Sequence, residues 1–286
     1  MEQDKILNLN EYYTRISYQV TSQIPFCVCP LHEIKNQIPY QYGSGVLITI
    51  GDSYFLATAS HNLEDFSSLY IPLPPDLHIQ LEGKSFRTVG SSSRYPDDRI
   101  DVAIIKLKER VVSNLVKHYA FLDGSHVAIN HEIAQKMAYI MIGYPKGKTD
   151  RNPKAKITKC NPFTYHSEPK PDQFYQKLGY DQKFNILVEY DINNLNVKKS
   201  NGKKPGPHPR GMSGGGLFHV PYQTVDPLKE PIMFYLVGIL QYFFLEDKKV
   251  IVATRIDFIS EIIRNHFNLN IPKSKNINVN MVTRMP

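Results

Sequence analysis

The sequence predicts an all-β protein made of two six-stranded β-barrels packed side by side, followed by a C-terminal helix. Three observations lead to this class. Short apolar, β-branched runs recur in two groups of about six, turn residues separate the runs, and an amphipathic stretch follows the last run. The periodicity alone does not exclude one large β-sandwich, which stays open as the alternative.

The first group of strands defines a first barrel over residues 24–130. The pair Gly51-Asp52 between its second and third runs suits a tight hairpin turn. Residues 1–23 are expected to form an N-terminal extension, with a short helix from about 11 to 24 that Asn10 caps. The expected strands of this barrel lie at 25–31, 43–50, 53–60, 77–83, 86–90 and 101–107.

The second group defines a second barrel over residues 131–256, after which 257–286 form a helix and tail. A helix is expected at 257–267, because apolar side chains fall on one face at helical spacing and Asp257 is placed to cap it. The whole chain is thus expected to be one unit. The apolar face comprises Phe258, Ile259, Ile262, Ile263 and Phe267, and the expected strands lie at 137–145, 154–160, 185–192, 214–220, 233–243 and 249–256.

The composition is that of an ordinary globular protein, with 286 residues of which 42% are hydrophobic, so the core needs neither disulfides nor a metal. The three cysteines leave an odd thiol, and Cys27 and Cys29 would lie ~6.6 Å apart on a strand, an awkward separation for a disulfide. Reduced thiols, no signal-peptide-like run and no apolar run of ~20 residues predict a cytoplasmic protein without a membrane span. No cofactor or metal is expected, since Cys and His clusters at ligand spacing are absent.

The net charge of +7 is concentrated in one segment. Residues 146–210 contain fourteen Lys or Arg and six Asp or Glu, which is +8 and leaves −1 for the rest. We expect a long solvated insertion in the second barrel; attraction of nucleic acid or of an acidic partner is the alternative. Nucleic acid is not an expected partner, because no recognition motif is present. Aromatic side chains in the segment are nevertheless suited to stacking on bases: Phe163, Tyr165, Phe174, Tyr175 and Tyr180.

Two candidate functional residues stand where apolar runs end or begin. His61 follows the run 53–60, a place that holds a general base rigidly while its ring reaches an open cleft. Asp101 opens the run 101–107, where a buried carboxylate needs a partner such as a histidine N–H. Taken singly, each has an ordinary alternative, namely a structural histidine and a turn acid.

The glycine-rich stretch 209–217 holds the third candidate, Ser213. Glycines on both sides let the backbone turn sharply and leave the hydroxyl unobstructed. They also let the N–H groups of Gly211 and Ser213 point at one spot, as an oxyanion hole requires. A phosphate-binding loop is an alternative, but the Lys-Ser/Thr of a P-loop is missing. A flexible hinge is another, and the apolar strand that resumes at once argues against it.

The three candidates follow one another in a specific order. His, then Asp, then Ser is the chain order of chymotrypsin-type enzymes, and it differs from the orders in subtilisin and in α/β-hydrolases. The motifs resemble the chymotrypsin-like (trypsin-like) serine peptidases. TASH at 58–61 is similar to the family's TAAH, DVAIIKL at 101–107 to its D-I-A-L-L-K-L strand, and GMSGGGLF at 211–218 to GDSGGPLF.

Further motifs extend the resemblance from about residue 43 to 256. GSGVLI at 43–48 resembles the strand leading to the catalytic histidine. GYPKG at 143–147 resembles the G-x-P-x-G turn of the intracellular, bacterial-type HtrA-like branch, and LVGILQY at 236–242 resembles the strand that lines the substrate pocket. The resemblance therefore implies a two-barrel peptidase with substrate-binding residues at Leu240, Gln241, Tyr242 and Phe243.

The departures from the family pattern are informative. Met212 replaces the acid that pairs with a newly cleaved N-terminus, so activation by N-terminal insertion is not expected. The cysteines that brace secreted members are missing, which matches an intracellular protein. Phe243 stands where the pocket wall usually has a small residue, and no acid lies just before Ser213. We therefore expect a shallow pocket for a small or medium apolar side chain.

The resemblance implies a regulated intracellular serine endopeptidase. Ser213 would be the nucleophile, His61 the general base and Asp101 its orienting partner, with the N–H groups of Gly211 and Ser213 as the oxyanion hole. The partners expected are a protein or peptide substrate and a regulatory protein. The alternative is an inactive or weakly active peptidase-fold binding module that uses its basic segment to contact protein or nucleic acid.

Overall fold

The computed structural model describes six stretches of the chain: residues 24–88, 99–134, 137–193, 205–221, 233–245 and 248–277. The helix expected at 11–24, with Asn10 as its cap, lies outside them apart from Ile24, which opens a 3₁₀ turn at Ile24–Cys27. None of the helices in these stretches is both long enough and apolar enough to cross a membrane.

A curled sheet forms the first half of the fold. Its strands are β1 (Val28–Lys35), β2 (Ile38–Ile50), β3 (Ser53–Thr58), β4 (Leu69–Leu73), β5 (Leu77–Gln80), β6 (Gly83–Arg87), β7 (Ala103–Leu107) and β8 (Leu122–Asp123). They follow the antiparallel order β5-β4-β1-β2-β3-β7-β6, and β8 pairs with β2 in parallel. The predicted turn at Gly51-Asp52 is confirmed, since Ile50 pairs with Ser53 across it.

The described part of this sheet has eight strands where six were expected. The additional strand β4 contains Pro72, which lacks an N–H group and is typical of edge or bulge positions. Here β4 pairs with β1 only through Leu69 and Tyr70, and the Pro72 carbonyl accepts a hydrogen bond from the Tyr119 hydroxyl at 2.8 Å. The proline therefore lies beyond the ladder to β1, where a missing N–H removes no bond to that strand.

A second curled sheet contains five of the six strands expected for it and one, at 163–167, that was not expected; the expected run 154–160 instead forms part of a separate hairpin. The strands of the sheet are β9 (Ala138–Gly143), β12 (Phe163–Ser167), β13 (Asn185–Glu189), β14 (Gly216–Val220), β15 (Tyr235–Phe244) and β16 (Val250–Arg255). Their order is β12-β9-β14-β15-β16-β13, antiparallel throughout. Outside the sheets lie the helices α1 (Glu109–Leu115), α2 (Asp172–Leu178) and α3 (Asp257–Phe267). The predicted all-β double-barrel class with a C-terminal helix is thus confirmed.

The basic segment 146–210 differs from the solvated insertion that its charge suggested. It supplies β12 and β13, the two edge strands of the second sheet, and it supplies α2, whose Tyr175 and Leu178 are buried. A separate hairpin, β10 (Thr149–Asn152) with β11 (Ile157–Cys160), packs on the start of β2. One face of an edge strand or a hairpin is solvated and accommodates charged residues. The apolar residues of such a segment are therefore spaced more widely along the sequence than in a buried strand.

Apolar side chains form a core inside each sheet and another between the two sheets. Leu47 and Ile105 point into the first sheet. Their neighbours Ile48 and Ile104 point outward, where they join Ile140 of the second sheet and the apolar face of α3. Because both faces of these strands are buried, their sequences are continuous apolar runs instead of alternating ones.

Helix α3 is held by buried charged groups. Asp257 is its first residue and makes no capping bond to the helix, contrary to the expectation. Its Oδ1 accepts hydrogen bonds from the backbone N–H of Asn130 at 3.0 Å and from Ser274 Oγ at 2.8 Å. The carboxylate therefore ties the start of α3 to two distant loops, and this geometry turns it away from the helix N–H groups.

Glu261, also fully buried, anchors the same helix. Its carboxylate accepts hydrogen bonds from Arg264 at 2.6 Å and from the Ser274 backbone N–H at 2.7 Å. Burial alone would raise the pKa of Glu261, but these hydrogen bonds outweigh it and hold the pKa below its ordinary value. A carboxylate whose pKa is lowered by folding stabilises the fold above its unfolded pKa, and this contribution is lost as the pH falls through the folded pKa.

We expect Glu261→Gln to lower the free energy of unfolding at neutral pH by about 2 kcal/mol, because an amide cannot accept from both donors in the same way. The loss should shrink as the pH falls below the ordinary glutamate pKa, about 4.3. Urea unfolding at neutral and at acidic pH measures both effects. The exposed Glu132→Gln variant is the control and should match the wild type; an unchanged loss at acidic pH contradicts the linkage.

Candidate active site

His61 stands at the rim of the first sheet, held from two directions by one carboxylate. β3 ends at Thr58, and the 3₁₀ turn Ser60–Leu63 that follows carries His61 outward. Its backbone N–H donates to Asp101 Oδ1 at 3.0 Å, and its ring Nδ1 lies 2.6 Å from Asp101 Oδ2. Both the main chain and the ring of His61 are therefore positioned by Asp101.

Asp101 lies two residues before β7 and is 3% exposed. An ionised carboxylate accepts hydrogen bonds and donates none, so the proton of the short contact belongs on His61 Nδ1. The other ring nitrogen, Nε2, is then an acceptor. Asp101 thus selects the tautomer that leaves a basic nitrogen facing the second sheet.

Ser213 faces that nitrogen from a tight turn ahead of β14. Its Oγ lies 3.0 Å from His61 Nε2 and 3.2 Å from the carbonyl oxygen of Gln241. Gly214 beside it has φ +85°, and a Cβ there would lie 2.0 Å from the Ser44 carbonyl oxygen. Only glycine permits this close approach of the turn to the first sheet. A hydroxyl that is hydrogen-bonded to a neutral histidine can lose its proton as it attacks an electrophile.

The backbone of the same turn directs two N–H groups toward the cleft. The carbonyl of Arg210 accepts from the N–H of Lys146 at 2.8 Å, and the carbonyl of Met212 accepts from an N–H three residues later at 2.9 Å. In a trans peptide the following N–H points opposite to the carbonyl. The N–H groups of Gly211 and Ser213 therefore point away from these partners, and both residues line the cleft.

Three buried polar side chains of the first sheet hold the Ser213 turn. The Ser213 carbonyl accepts from the backbone N–H of Ser44 at 2.8 Å and from Asn62 Nδ2 at 3.0 Å. Ser44 Oγ donates to the Gly211 carbonyl at 2.8 Å, and Thr58 Oγ1 donates to the Ser44 carbonyl at 2.7 Å. We call Ser44, Thr58 and Asn62 the polar clamp. It bridges the two sheets next to the Ser213 hydroxyl.

The opposite wall of the cleft is formed by strand β15. Its pairing with β16 shifts register between Leu240 and Tyr242, so Gln241 forms a bulge. The buried Gln241 side chain accepts from Thr254 Oγ1 at 2.9 Å, while its carbonyl faces Ser213. The residues expected to bind substrate line a cleft of about 350 Å³ together with His61 and Ser213: Leu240, Gln241, Tyr242 and Phe243.

Phe243 narrows the far end of this wall. Its ring stacks on Tyr242, with centroids 5.6 Å apart, and meets His208 edge-on at 5.0 Å. No Asp or Glu is among the described residues that line the cleft. The pocket beside Ser213 therefore presents no carboxylate from these residues, and its lining combines Arg210 with the apolar side chains of Met212, Leu240 and Ile251.

Sequence patterns predict the four residues that the cleft brings together, namely His61, Asp101, Gly211 and Ser213. They do not predict the polar clamp or the bulged Gln241. Ser44 meets Gly211 across 167 residues of chain, and Asn62 meets Ser213 across 151. Local patterns carry no information about such contacts. The one available clue is the position of Asn62, a polar amide directly after the candidate histidine at the end of a buried strand.

Comparison with known proteins adds little to what the geometry of the cleft indicates about its chemistry. No protein-family model and no curated protein matches the sequence. Among solved structures, the crystal structure of a thermostable serine protease, AL20, from an extremophilic microorganism is similar, with 15% sequence identity and a TM-score of 0.46. The match covers 80% of this chain and 91% of that one. This similarity is too low to assign an activity.

We expect Gly211→Ala to slow the reaction of Ser213 with a fluorophosphonate, a reagent for activated serines, by about 10²-fold. The new Cβ would lie 2.8 Å from the Tyr144 carbonyl oxygen and 3.0 Å from Lys146 N, so the Gly211 N–H must move. Gly51→Ala is the matched control, since Gly51 also has a positive φ but a Cβ there meets nothing within 4 Å. Equal slowing in both variants would contradict the assignment of the Gly211 N–H.

We expect Asn62→Asp to slow the same labelling by about tenfold, because a carboxylate oxygen would face the Ser213 carbonyl where a donor stands now. Asn62→Ala should also slow it, since the carbonyl keeps only the Ser44 donor. Labelling rates are compared with the free energy of unfolding of each variant. Asn114→Asp is the control, because the half-buried Asn114 also donates its side-chain amide to a backbone carbonyl, that of Arg110 on α1. Wild-type labelling by both Asn62 variants would show that the clamp does not position Ser213.

Proposed function

We propose that the protein is a serine endopeptidase that cleaves peptide bonds through an acyl-enzyme. The observation that carries this proposal is the continuous hydrogen-bonded chain from Asp101 through His61 to Ser213, with contacts of 2.6 Å and 3.0 Å, opening on a cleft. Both contacts are within reach for general-base catalysis. The three groups supply an orienter, a base and a nucleophile in the order that acyl transfer requires.

The reaction follows from the position of each group. Ser213 Oγ attacks the peptide carbonyl carbon while its proton moves to His61 Nε2, and Asp101 stabilises the imidazolium that forms. The oxyanion accepts hydrogen bonds from the N–H groups of Gly211 and Ser213. His61 then gives the proton to the leaving amine. Water repeats the sequence on the acyl-enzyme and frees Ser213.

The substrate is proposed to lie along strand β15. Its backbone on the acyl side pairs with the edge formed by Leu240, Gln241, Tyr242 and Phe243, and its side chain before the scissile bond enters the narrow pocket. The rings of Phe243 and Tyr242 limit the depth of this pocket. A small or medium apolar side chain fits it best, and the described lining, which contains Arg210 and no carboxylate, offers no partner to Lys or Arg.

Two observations support an intracellular enzyme that needs no N-terminal activation. Cys27, Cys29 and Cys160 are all free thiols, and burial raises the pKa of Cys27 to about 12, so that it stays protonated. The Met212 side chain is buried in the core of the second sheet, where it anchors the Ser213 turn without a charged partner. We therefore propose a reducing, cytoplasmic location and control of activity by a protein partner.

A binding module on the same fold is the second candidate. It is favoured by the exposed cations of the β10–β11 hairpin, a feature that peptide-bond hydrolysis does not itself require. Such a module would bind an acidic partner and show no chemistry at Ser213. Reactivity of the hydroxyl separates the two candidates.

We expect the wild-type protein to react covalently with a fluorophosphonate probe, and Ser213→Ala and His61→Ala to lose the reaction. Asp101→Asn should lower kcat on a cleaved peptide by about 10⁴-fold, because the ring of His61 is then held in the wrong tautomer. Gel fluorescence and intact mass measure the labelling. Asp123→Asn, at an exposed acid of the first sheet, is the control. A wild-type protein that stays unlabelled, or a Ser213→Ala protein that labels equally, would reject the proposal.

A further inference from the structure

A strongly basic surface lies next to the cleft. It consists of residues 146–160, the turn that follows β9 and the β10–β11 hairpin, and we call it the basic hairpin. It carries one carboxylate, Asp150. Its six cations are all exposed: Lys146, Lys148, Arg151, Lys154, Lys156 and Lys159.

These cations are not neutralised by the protein itself. Within the described stretches, none of the six forms an ion pair with a carboxylate, whereas cations elsewhere do, as in Lys170–Glu189 and Lys249–Asp191. Lys148 lies over the ring of Phe163 instead. An uncompensated cluster of like charges is unfavourable by itself and attracts an anionic partner.

The basic hairpin begins at the reactive turn. The N–H of Lys146 donates to the Arg210 carbonyl, and Lys146 Cγ would lie 3.1 Å from a Cβ placed on Gly211. Partial burial lowers the pKa of Lys146, and the nearby Arg210 lowers it further, so the two cations are close. Arg210 itself lines the cleft. The positive surface therefore begins at the cleft, with Arg210 and Lys146.

Contacts between the basic hairpin and β2 determine on which side of the cleft the basic surface lies. Thr158 Oγ1 donates to the Pro39 carbonyl at 2.6 Å, and the side chain of Gln41 donates to the Tyr144 carbonyl at 2.9 Å, so the hairpin follows the start of β2. Tyr42, the next residue of β2, lines the cleft across from β15. A chain whose acyl half lies along β15 leaves the cleft past Tyr42, on the side of the basic hairpin.

We propose that the basic hairpin binds an acidic segment of the peptide substrate, a few residues after the scissile bond. This inference rests on the proposed function, which sets the direction of the substrate. A single exposed charge pair contributes little, so two or three of them together give a preference of about tenfold for an acidic segment. Specificity then comes from charge on the leaving-group side as well as from the apolar pocket on the acyl side.

An acidic peptide fits this surface better than a nucleic acid does. Single-stranded nucleic acid needs open aromatic faces for its bases, and the aromatic residues of the segment do not offer them. Phe163, Tyr175 and Tyr180 are buried, Tyr165 packs edge-on against Tyr190, and Phe174 lies under Lys170. The stacking role considered from the sequence is therefore wrong, and charge alone remains as the means of recognition.

The test measures binding to the Ser213→Ala protein, which requires no turnover. The probe is a fluorescein-labelled decapeptide with a small apolar first half and Asp-Glu-Asp-Glu at its end. One comparison peptide ends in the neutral isosteres Asn-Gln-Asn-Gln, and another carries the acidic residues first. The test variant is the double substitution Lys154→Glu/Lys159→Glu, at two lysines outside the Ser213 turn. Lys117→Glu/Lys183→Glu makes the same charge change at exposed lysines elsewhere.

Fluorescence anisotropy should show about tenfold tighter binding of the acidic-end peptide than of either comparison peptide. The preference should disappear in Lys154→Glu/Lys159→Glu and persist in Lys117→Glu/Lys183→Glu. Equal affinity for the three peptides overturns the inference. Displacement of the acidic peptide by low concentrations of a twelve-residue oligothymidylate also overturns it, because the surface would then bind nucleic acid. Fluorophosphonate labelling of the wild type decides the proposed function separately.

Discussion

Ser213 belongs to the second sheet and His61 to the first, so their 3.0 Å contact exists only while the two sheets keep one relative position. Two kinds of interaction hold that position. A broad apolar core between the sheets supplies most of the burial and is indifferent to small displacements. The polar clamp supplies direction, because hydrogen bonds from Ser44 and Asn62 to the Ser213 carbonyl weaken steeply when their geometry changes.

Charge is handled differently in different parts of the molecule. Asp101, Asp257 and Glu261 are buried acids, and each is surrounded by hydrogen-bond donors from distant segments. Burial without such donors would be costly, so these carboxylates define where loops and helix α3 must lie. The cations of the basic hairpin are exposed, and none of them forms an ion pair with a carboxylate in the part of the chain that the structure describes. One set of charges therefore builds the fold, and the other is available to a partner.

Much of the fold could be predicted because many core strands are buried on both faces. Runs such as 54–57 and 102–105 are continuously apolar and are typical of buried strands. Strand β4 escaped prediction because Pro72 interrupts it. Of the two edge strands of the second sheet, β13 falls within the predicted run 185–192, whereas β12 was missed because polar residues interrupt its apolar ones. Asp257 is a residue type that commonly caps helices and stands where a cap was expected. Its carboxylate instead accepts a hydrogen bond from the Asn130 backbone N–H, and the local sequence does not indicate such a tertiary contact.

The residues of the candidate site likewise divide into those that the sequence predicts and those that it does not. His61, Asp101 and the glycine-bordered Ser213 follow strand ends and turns, which are local features. The polar clamp and the bulge at Gln241 depend on segments that meet only in the folded chain. Sequence reasoning therefore identifies groups that can react, while the contacts that set their distances require three-dimensional information.

Helix α3 follows every described strand in sequence, yet its apolar face closes the core between the two sheets. During synthesis, the strands of both sheets therefore emerge before α3 does. Until α3 packs against them, the outward-facing apolar side chains of the sheets lack the cover that the helix provides. The core that sets the distance between His61 and Ser213 is thus completed by the last described element to be synthesised.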